Sequence, residues 1–86
     1  MWRFTRDSPD FWIQMKGEHA GRPLRSPCVN SSGVQADRRF FVPDYLFYCF
    51  VFVYNSGIYR TKLKGSVVPY IRQEDIVAAF VEMFGP

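Results

Sequence analysis

The sequence has few of the residues that bind metals or build disulfide frameworks. It has two cysteines, Cys28 and Cys49, and one histidine, His19. Neither cysteine has a second cysteine or a histidine at metal-ligand spacing, and two cysteines do not make a disulfide scaffold. We therefore expect two buried, reduced thiols, no metal site and no cofactor.

Catalytic motifs are also missing. A nucleophile needs a base within hydrogen-bonding reach, and the lone His19 lies in a stretch rich in glycine and proline. The sequence has no HExxH, phosphate-loop or dinucleotide-binding signature. The acids Asp7/Asp10 and Glu74/Asp75 fit turn formation and the first turn of a helix better than acid–base chemistry. The sequence therefore predicts a protein that is not an enzyme.

No segment is apolar for long enough to cross a membrane. The longest apolar run, residues 45–54, is well short of the roughly 18 residues that a spanning helix needs. Residues 1–7 also lack the apolar stretch of a signal peptide. We expect a soluble, cytoplasmic protein without a membrane partner.

Aromatic and basic residues are what the sequence has in quantity. Phe, Trp and Tyr make up 19% of the 86 residues, which excludes a disordered chain and predicts one domain with a ring-filled core. Eleven Lys and Arg against eight Asp and Glu leave a net charge of +3. A mildly basic surface suits a partner that bears phosphates.

Strand and loop signals alternate over the first half of the chain. Residues 11–16 are aromatic and β-branched, which predicts a strand, and residues 2–5 predict either an earlier edge strand or an extended arm. Glycines and prolines predict a loop over residues 17–27. Residues 28–35 predict a second strand with a kink or bulge at Gly33.

The apolar run after Phe40 has two interpretations. Its β propensity and the turn signal Asn55-Ser56-Gly57 predict a hairpin whose second strand is residues 58–63. The segment Val42-Pro43-Asp44 instead fits the start of a helix, which would be buried almost all round. Periodicity does not decide between them, because every face of the run is apolar.

A strand and a helix are predicted to end the chain. Residues 66–71 predict a short strand, which Pro69 places at an edge or a bulge. Gln73 opens a helix whose apolar stripe is Ile76, Val77, Phe80, Val81 and Phe84. The predicted class is α+β: a small twisted β-sheet with one buried aromatic helix and a C-terminal amphipathic helix.

The basic residues fall on predicted loops and strand ends. Arginine can bind phosphate or guanine with two hydrogen bonds, and neutral polar side chains can contact base edges. A strand over residues 58–63 would point Arg60, Lys62 and Lys64 to one face. The predicted nucleic-acid-binding residues are Lys16, Arg22, Arg25, Asn30, Ser32, Gln35, Arg38, Arg39, Arg60, Lys62 and Lys64.

The order of motifs resembles a target recognition domain of a type I restriction-modification specificity subunit. The matching segments are Asn30-Ser31-Ser32-Gly33, Pro43-Asp44-Tyr45-Leu46, Gly65-Ser66-Val67-Val68-Pro69 and Asp75-Ile76. The resemblance implies a helix at Pro43 and a DNA-binding surface. A specificity subunit has two such domains joined by long helices, so restriction or methylation activity is not implied.

The chain also resembles a family of small bacterial proteins associated with mobile elements. The shared segments are Lys16-Gly17, Gly21-Arg22-Pro23-Leu24, Pro27-Cys28 and Gly65-Ser66-Val67-Val68-Pro69-Tyr70-Ile71. This resemblance covers nearly the whole chain and implies no particular function.

We therefore expect a non-catalytic protein that binds DNA through its Arg- and Lys-bearing loops. The alternative is a small phage- or mobile-element-encoded inhibitor, of the anti-CRISPR or anti-restriction kind, whose partner is a nucleoprotein nuclease complex of the host. A homodimer through the C-terminal helix is a further expectation.

Overall fold

A computed structural model describes residues 1–65 and 67–85, which form one domain around one hydrophobic core. A four-stranded sheet forms one layer and two helices form the other. The elements are β1 (Trp2–Phe4), β2 (Phe11–Gln14), β3 (Pro23–Leu24), β4 (Ser31–Ala36), α1 (Pro43–Asn55), a 3₁₀ helix (Ile58–Thr61) and α2 (Gln73–Phe84). The predicted α+β class is confirmed.

One face of the sheet meets the helices. The strands lie in the order β1-β4-β2-β3, and every neighbouring pair is antiparallel. Side chains alternate between the two faces of a sheet. Phe11 and Ile13 of β2 and Val34 of β4 are buried in the core, together with the inner faces of α1 and α2. The opposite face of the sheet is therefore left without a helix.

Segment 2–5 forms an edge strand, as the first of its two interpretations predicts. β1 pairs with β4 through residues Trp2 to Phe4. The ring of Trp2 lies 5.0 Å from that of Phe50 in α1 and 5.4 Å from that of Phe80 in α2. Edge-to-face contacts of this kind join the sheet to both helices.

β2 is confirmed as a strand, but it ends at Gln14, two residues earlier than predicted. Lys16 instead forms an isolated bridge with Tyr70. The predicted loop over residues 17–27 contains a strand of two residues, β3, that pairs with β2. β3 forms because β2 lies beside it, and the two residues of β3 have no strand pattern of their own in the sequence.

β4 starts at Ser31, three residues later than predicted, and it has no bulge at Gly33. Gly33 pairs with Trp12 in regular register. A Cβ atom at Gly33 would lie 2.6 Å from Cγ of Pro9. The glycine therefore allows the loop before β2 to approach the sheet closely.

Residues Pro43–Asn55 form a helix, so the hairpin interpretation is wrong. Proline at the first helical position needs no hydrogen-bond partner, and Asp44 lies at the positive end of the helix. Leu46, Phe50 and Val53 are buried in the core. The expectation of burial almost all round is also wrong, because the fold has no third layer to cover the outer face of α1.

The predicted second strand of the hairpin is a 3₁₀ helix that follows Gly57, whose φ is 83°. Arg60 and Lys62 therefore share no strand face with Lys64, contrary to the prediction. The predicted strand at 66–71 begins at Ser66, which lies outside the described residues. Residues 67–69 are not a strand, and Tyr70 forms isolated bridges with Lys16 and Lys64.

The predicted C-terminal helix is confirmed as α2. The backbone N–H of Arg72 donates to Oδ2 of Asp75 at 3.2 Å, which satisfies a donor at the helix start. Ile76, Ala79 and Phe80 form its buried face. The predicted stripe is thus only partly right: its remaining members, Val77, Val81 and Phe84, are 43–45% exposed.

Over residues 1–65 and 67–85, neither helix has the combination of length and hydropathy that would carry it through a lipid bilayer.

Candidate nucleic-acid interface

The face of the sheet without helices carries polar and basic side chains around one aromatic ring. Arg3 pairs with Gln35 in the sheet register, and Trp12 pairs with Gly33 and Leu24. Alternation places Gln14 on the same side as Trp12, with Arg22 beside it. We call this surface the open sheet face; it consists of Arg3, Trp12, Gln14, Arg22 and Gln35.

Both arginines of the open sheet face are held by amide groups. Nη2 of Arg3 donates to Oε1 of Gln35 at 3.0 Å. Nη2 of Arg22 donates to Oε1 of Gln14 at 3.4 Å. An amide oxygen orients a guanidinium without cancelling its charge. Both positive charges therefore remain available to an anionic ligand.

A cleft of about 590 Å³ lies beside Trp12. Trp12 and Ser31 line it from the sheet, and Arg6 and Cys28 line it from two loops. Among the residues that the structure describes, Arg6 has no ion pair and no side-chain hydrogen bond. Arg6 therefore brings a third guanidinium to this side of the molecule.

A second group of polar side chains surrounds Tyr70, which is 40% exposed. Lys16 and Lys64 are its bridge partners on the two sides. Asn30 lines a cavity of about 440 Å³ together with Lys16 and Tyr70. We call these four residues the Tyr70 cluster. Ser31 lines both this cavity and the cleft beside Trp12, so the two surfaces are continuous.

Four of the eight predicted cations are ion-paired with acids of the same chain. The pairs are Arg25–Asp44 at 2.8 Å, Arg38–Asp10 at 2.7 Å, Arg39–Asp37 at 2.8 Å and Lys62–Glu82 at 3.1 Å. Hydrogen bonds from Arg39 lower the pKa of Asp37 from 3.8 to about 2, so this carboxylate stays charged at neutral pH. The negative charge of a carboxylate partner largely cancels the positive charge of such a cation, so its attraction for a phosphate is weak.

The other predicted residues divide between two sides of the molecule. Lys16, Arg22, Asn30, Gln35 and Lys64 lie on the open sheet face or in the Tyr70 cluster. Ser32 lines the cleft beside Trp12, where it accepts a hydrogen bond from the amide of Gln73 at 3.3 Å, at the start of α2. Arg60 lines a cavity with Glu18 and Tyr54 on the helix side. The predicted set therefore does not form a single surface.

The sequence of this chain matches a protein family model. A family model described as a family of unknown function, DUF6943, matches residues 3–85. The chain belongs to this family. The comparisons with curated proteins and with solved structures found no match. Family membership tests neither the DNA-binding prediction nor the two resemblances.

Arg3, Arg6 and Gln14 lie on this side of the molecule, although the sequence did not predict them as binding residues. In Trp2-Arg3-Phe4 the exposed Arg3 stands between two partly buried rings, and in Phe11-Trp12-Ile13-Gln14 partly buried residues alternate with buried ones. This two-residue period was the signal that could have placed Arg3, Trp12 and Gln14 on one face.

The cysteines and the histidine show no arrangement for metal binding. Cys49 is buried, and burial raises the pKa of its thiol. Cys28 is exposed, so the expectation of two buried thiols is wrong for this residue. Nδ1 of His19 lies 3.1 Å from the hydroxyl of Tyr54. Within residues 1–65 and 67–85, no three His, Cys, Asp or Glu side chains are grouped to hold a metal ion.

Proposed function

We propose that this protein is a non-catalytic DNA-binding protein and that it binds single-stranded DNA across the open sheet face. The observation that supports this best is the position of Trp12 between two arginines, Arg3 and Arg22, which bond to amides and have no carboxylate partner among residues 1–65 and 67–85. Guanidinium groups supply the attraction to phosphates, and the aromatic ring supplies a surface for a base.

The spacing of the two arginines suits several nucleotides. Arg3 and Arg22 lie on the two edges of the sheet, about 14 Å apart across its strands. Arg3 pairs with Gln35 of β4, and Arg22 is level with Ser31 of the same strand. The two arginines are therefore also offset by about 14 Å along the strand direction. A strand of DNA that ran diagonally from Arg3 to Arg22 would pass over the loop of Thr5 and Pro9, which packs on Gly33, and would contact Trp12 beside it.

A single strand fits this surface better than a duplex. Side chains read duplex DNA when a helix or a two-stranded ribbon enters the major groove. The open sheet face is instead the broad surface of a four-stranded sheet. Unpaired bases stack on aromatic rings that lie on sheets of this kind. The amide groups of Gln14 and Gln35 add hydrogen bonds for base edges.

The Tyr70 cluster extends the surface for a longer strand. Lys16 lies two residues beyond Gln14, and its bridge partner Tyr70 adds a second exposed ring. Together with Lys64 these residues continue the path of positive charge past the cleft. We place the protein in the cytoplasm, without a cofactor, and both statements remain predictions.

Fluorescence anisotropy with a labelled oligonucleotide tests the proposal. We expect salt-sensitive binding of the single strand and weaker binding of the matching duplex. The double variant Arg3→Gln/Arg22→Gln should weaken binding roughly tenfold or more, because it removes two phosphate contacts. Trp12→Leu should weaken it by about 1–3 kcal/mol, which is what stacking of one base contributes.

Arg39→Gln is the control, because it makes the same change of arginine to glutamine at one arginine that is paired with Asp37. Its affinity should stay close to that of the unmodified protein. No binding at low salt, or an equal loss in Arg39→Gln, would contradict the proposal.

Inhibition of a host defence nuclease is the second candidate function. The same unneutralised guanidiniums of Arg3, Arg6 and Arg22 would then contact the nucleic acid of a nucleoprotein nuclease complex. Absence of binding to free DNA, together with retention of such a complex on the immobilised protein, would favour this candidate.

A further inference from the structure

The outer face of α1 carries a row of exposed aromatic rings. Tyr45, Tyr48 and Phe52 are 64%, 61% and 57% exposed, and their spacing puts them within one narrow sector of the helix. Phe84 of α2 is 45% exposed. Its ring centroid lies 6.1 Å from that of Phe52. We call these four residues the aromatic stripe.

The aromatic stripe differs from the usual surface of a helix. An amphipathic helix turns charged side chains to water on its outer face. The sequence of α1 contains one charged residue, Asp44, and it lies in the first turn. A continuous exposed apolar surface of this kind marks an interaction site.

We infer that the aromatic stripe is the interface of a homodimer, in which a second copy of this chain packs with its own α1 antiparallel to the first. In a two-fold symmetric pair each stripe covers the other, so the apolar surfaces match in size and character. This interface is centred on α1, and Phe84 of α2 lies at its margin.

The hydrogen-bonding groups at the two ends of the aromatic stripe complement each other in this arrangement. At one end, the guanidinium carbon of Arg25 lies 3.7 Å from the ring centroid of Phe47 and 5.7 Å from that of Tyr48. At the other end, α1 and α2 both finish without a basic residue in their last turns. The ends of helices there carry partial negative charge. Nη1 of Arg25 donates to Asp44 of its own chain at 2.8 Å, so in an antiparallel copy its remaining N–H groups donate to the carbonyl oxygens at these two ends.

The exposed area of the aromatic stripe is also large enough for the centre of a dimer interface. Four aromatic side chains, between 45% and 64% exposed, offer about 450 Å² if a whole ring side chain has about 200 Å². A standard interface buries about 800 Å² per partner, so the aromatic stripe supplies more than half, and its polar rim supplies the rest. The stripe lies on the helix layer, so both open sheet faces stay free in the dimer.

Sedimentation equilibrium over a range of protein concentrations tests the inference without any nucleic acid. We expect the unmodified protein to reach a mass of twice the 10.1 kDa chain. Tyr48→Glu and Phe52→Glu should each weaken the dimer roughly tenfold or more, because each puts a charge into the buried centre of the interface. Arg25→Gln should weaken it to a smaller extent.

Val29→Glu is the control, since Val29 is 98% exposed and lies outside the aromatic stripe. It makes an apolar-to-acidic change and should leave the dimer intact. Circular dichroism checks that all variants keep their helices. A protein that is monomeric at every concentration, a dimer that survives both stripe variants, or a dimer equally weakened by Val29→Glu would each overturn the inference. DNA binding tested on the monomer is a separate result, so the two proposals can fail independently.

Discussion

Gly21 shows how one residue secures the packing of the 3₁₀ helix against the sheet. Its φ is 97°, a conformation that side-chain-bearing residues rarely adopt. A Cβ atom here would lie 2.6 Å from Cε2 of Tyr59, whose side chain is almost wholly buried. Burial also raises the pKa of the Tyr59 hydroxyl, which has no hydrogen-bond partner within the described part of the chain. The ring of Tyr59 is therefore fixed by close packing alone.

Gly21→Ala should lower the free energy of unfolding by about 2–4 kcal/mol, from backbone strain plus a clash with Tyr59. Gly57→Ala is the matched control: its φ is 83°, but the nearest heavy atom to an added Cβ is 3.9 Å away. It should cost only the strain, about 1–2 kcal/mol. Urea unfolding measures both. An equal cost for the two variants would show that the ring of Tyr59 moves aside without loss.

At the scale of elements, α1 is a helix with two unlike faces. Phe50 is fully buried and its ring contacts those of Trp2, Phe11 and Phe80. Phe52, two residues further, is 57% exposed. Both residues are phenylalanine, and both lie within one apolar run of the sequence. Only the position of the sheet determines which of the two faces the core.

Phe50→Ala should destabilise the protein by about 3–5 kcal/mol, because it leaves a cavity between the sheet and both helices. Phe52→Ala should cost less than about 1 kcal/mol in dilute, monomeric protein, since its side chain is already largely in water. Thermal or urea unfolding followed by circular dichroism separates the two. Similar costs would mean that α1 is rotated relative to the orientation described.

At the scale of the whole molecule, the two-layer architecture separates the charges from the apolar surface. The open sheet face and the Tyr70 cluster hold Arg3, Lys16, Arg22 and Lys64, with Arg6 beside them. The helix layer holds the aromatic stripe. The net charge of +3 therefore understates the positive potential of the side with the open sheet face, because acids such as Asp44 and Glu82 lie on the helix layer, paired with Arg25 and Lys62.

The salt dependence of single-strand binding should report how many of these cations meet phosphates. Each contact contributes about 0.7 to the slope of log K against log salt, so five cations predict a slope no steeper than about −3.5. Arg3→Gln/Arg22→Gln should reduce the slope by about 1.4, while Arg39→Gln should leave it unchanged. A slope that falls equally in Arg39→Gln would mean that the ion pairs open on binding.

Much of the local structure could be predicted from the sequence. Aromatic and β-branched residues identified β2, the predicted strand at 28–35 overlaps most of β4, and the acidic first turn and apolar spacing identified α2. The helix at Pro43 was favoured by a resemblance, because an apolar run has no period from which to choose. β3 and the bridges of Tyr70 could not be foreseen, since such short pairings exist only where other strands lie alongside.

The sequence by itself determined the α+β class, the ring-filled core and the excess of positive charge, because these follow from composition and short-range periodicity. Only the tertiary structure decided which Lys and Arg side chains are ion-paired with a carboxylate and which are not. Arg38 meets Asp10 and Lys62 meets Glu82 across long stretches of chain, whereas Arg3 and Arg22 meet the amides of Gln35 and Gln14. An ion pair depends on distance in space, and distance in space between remote residues is set by the packing of the layers.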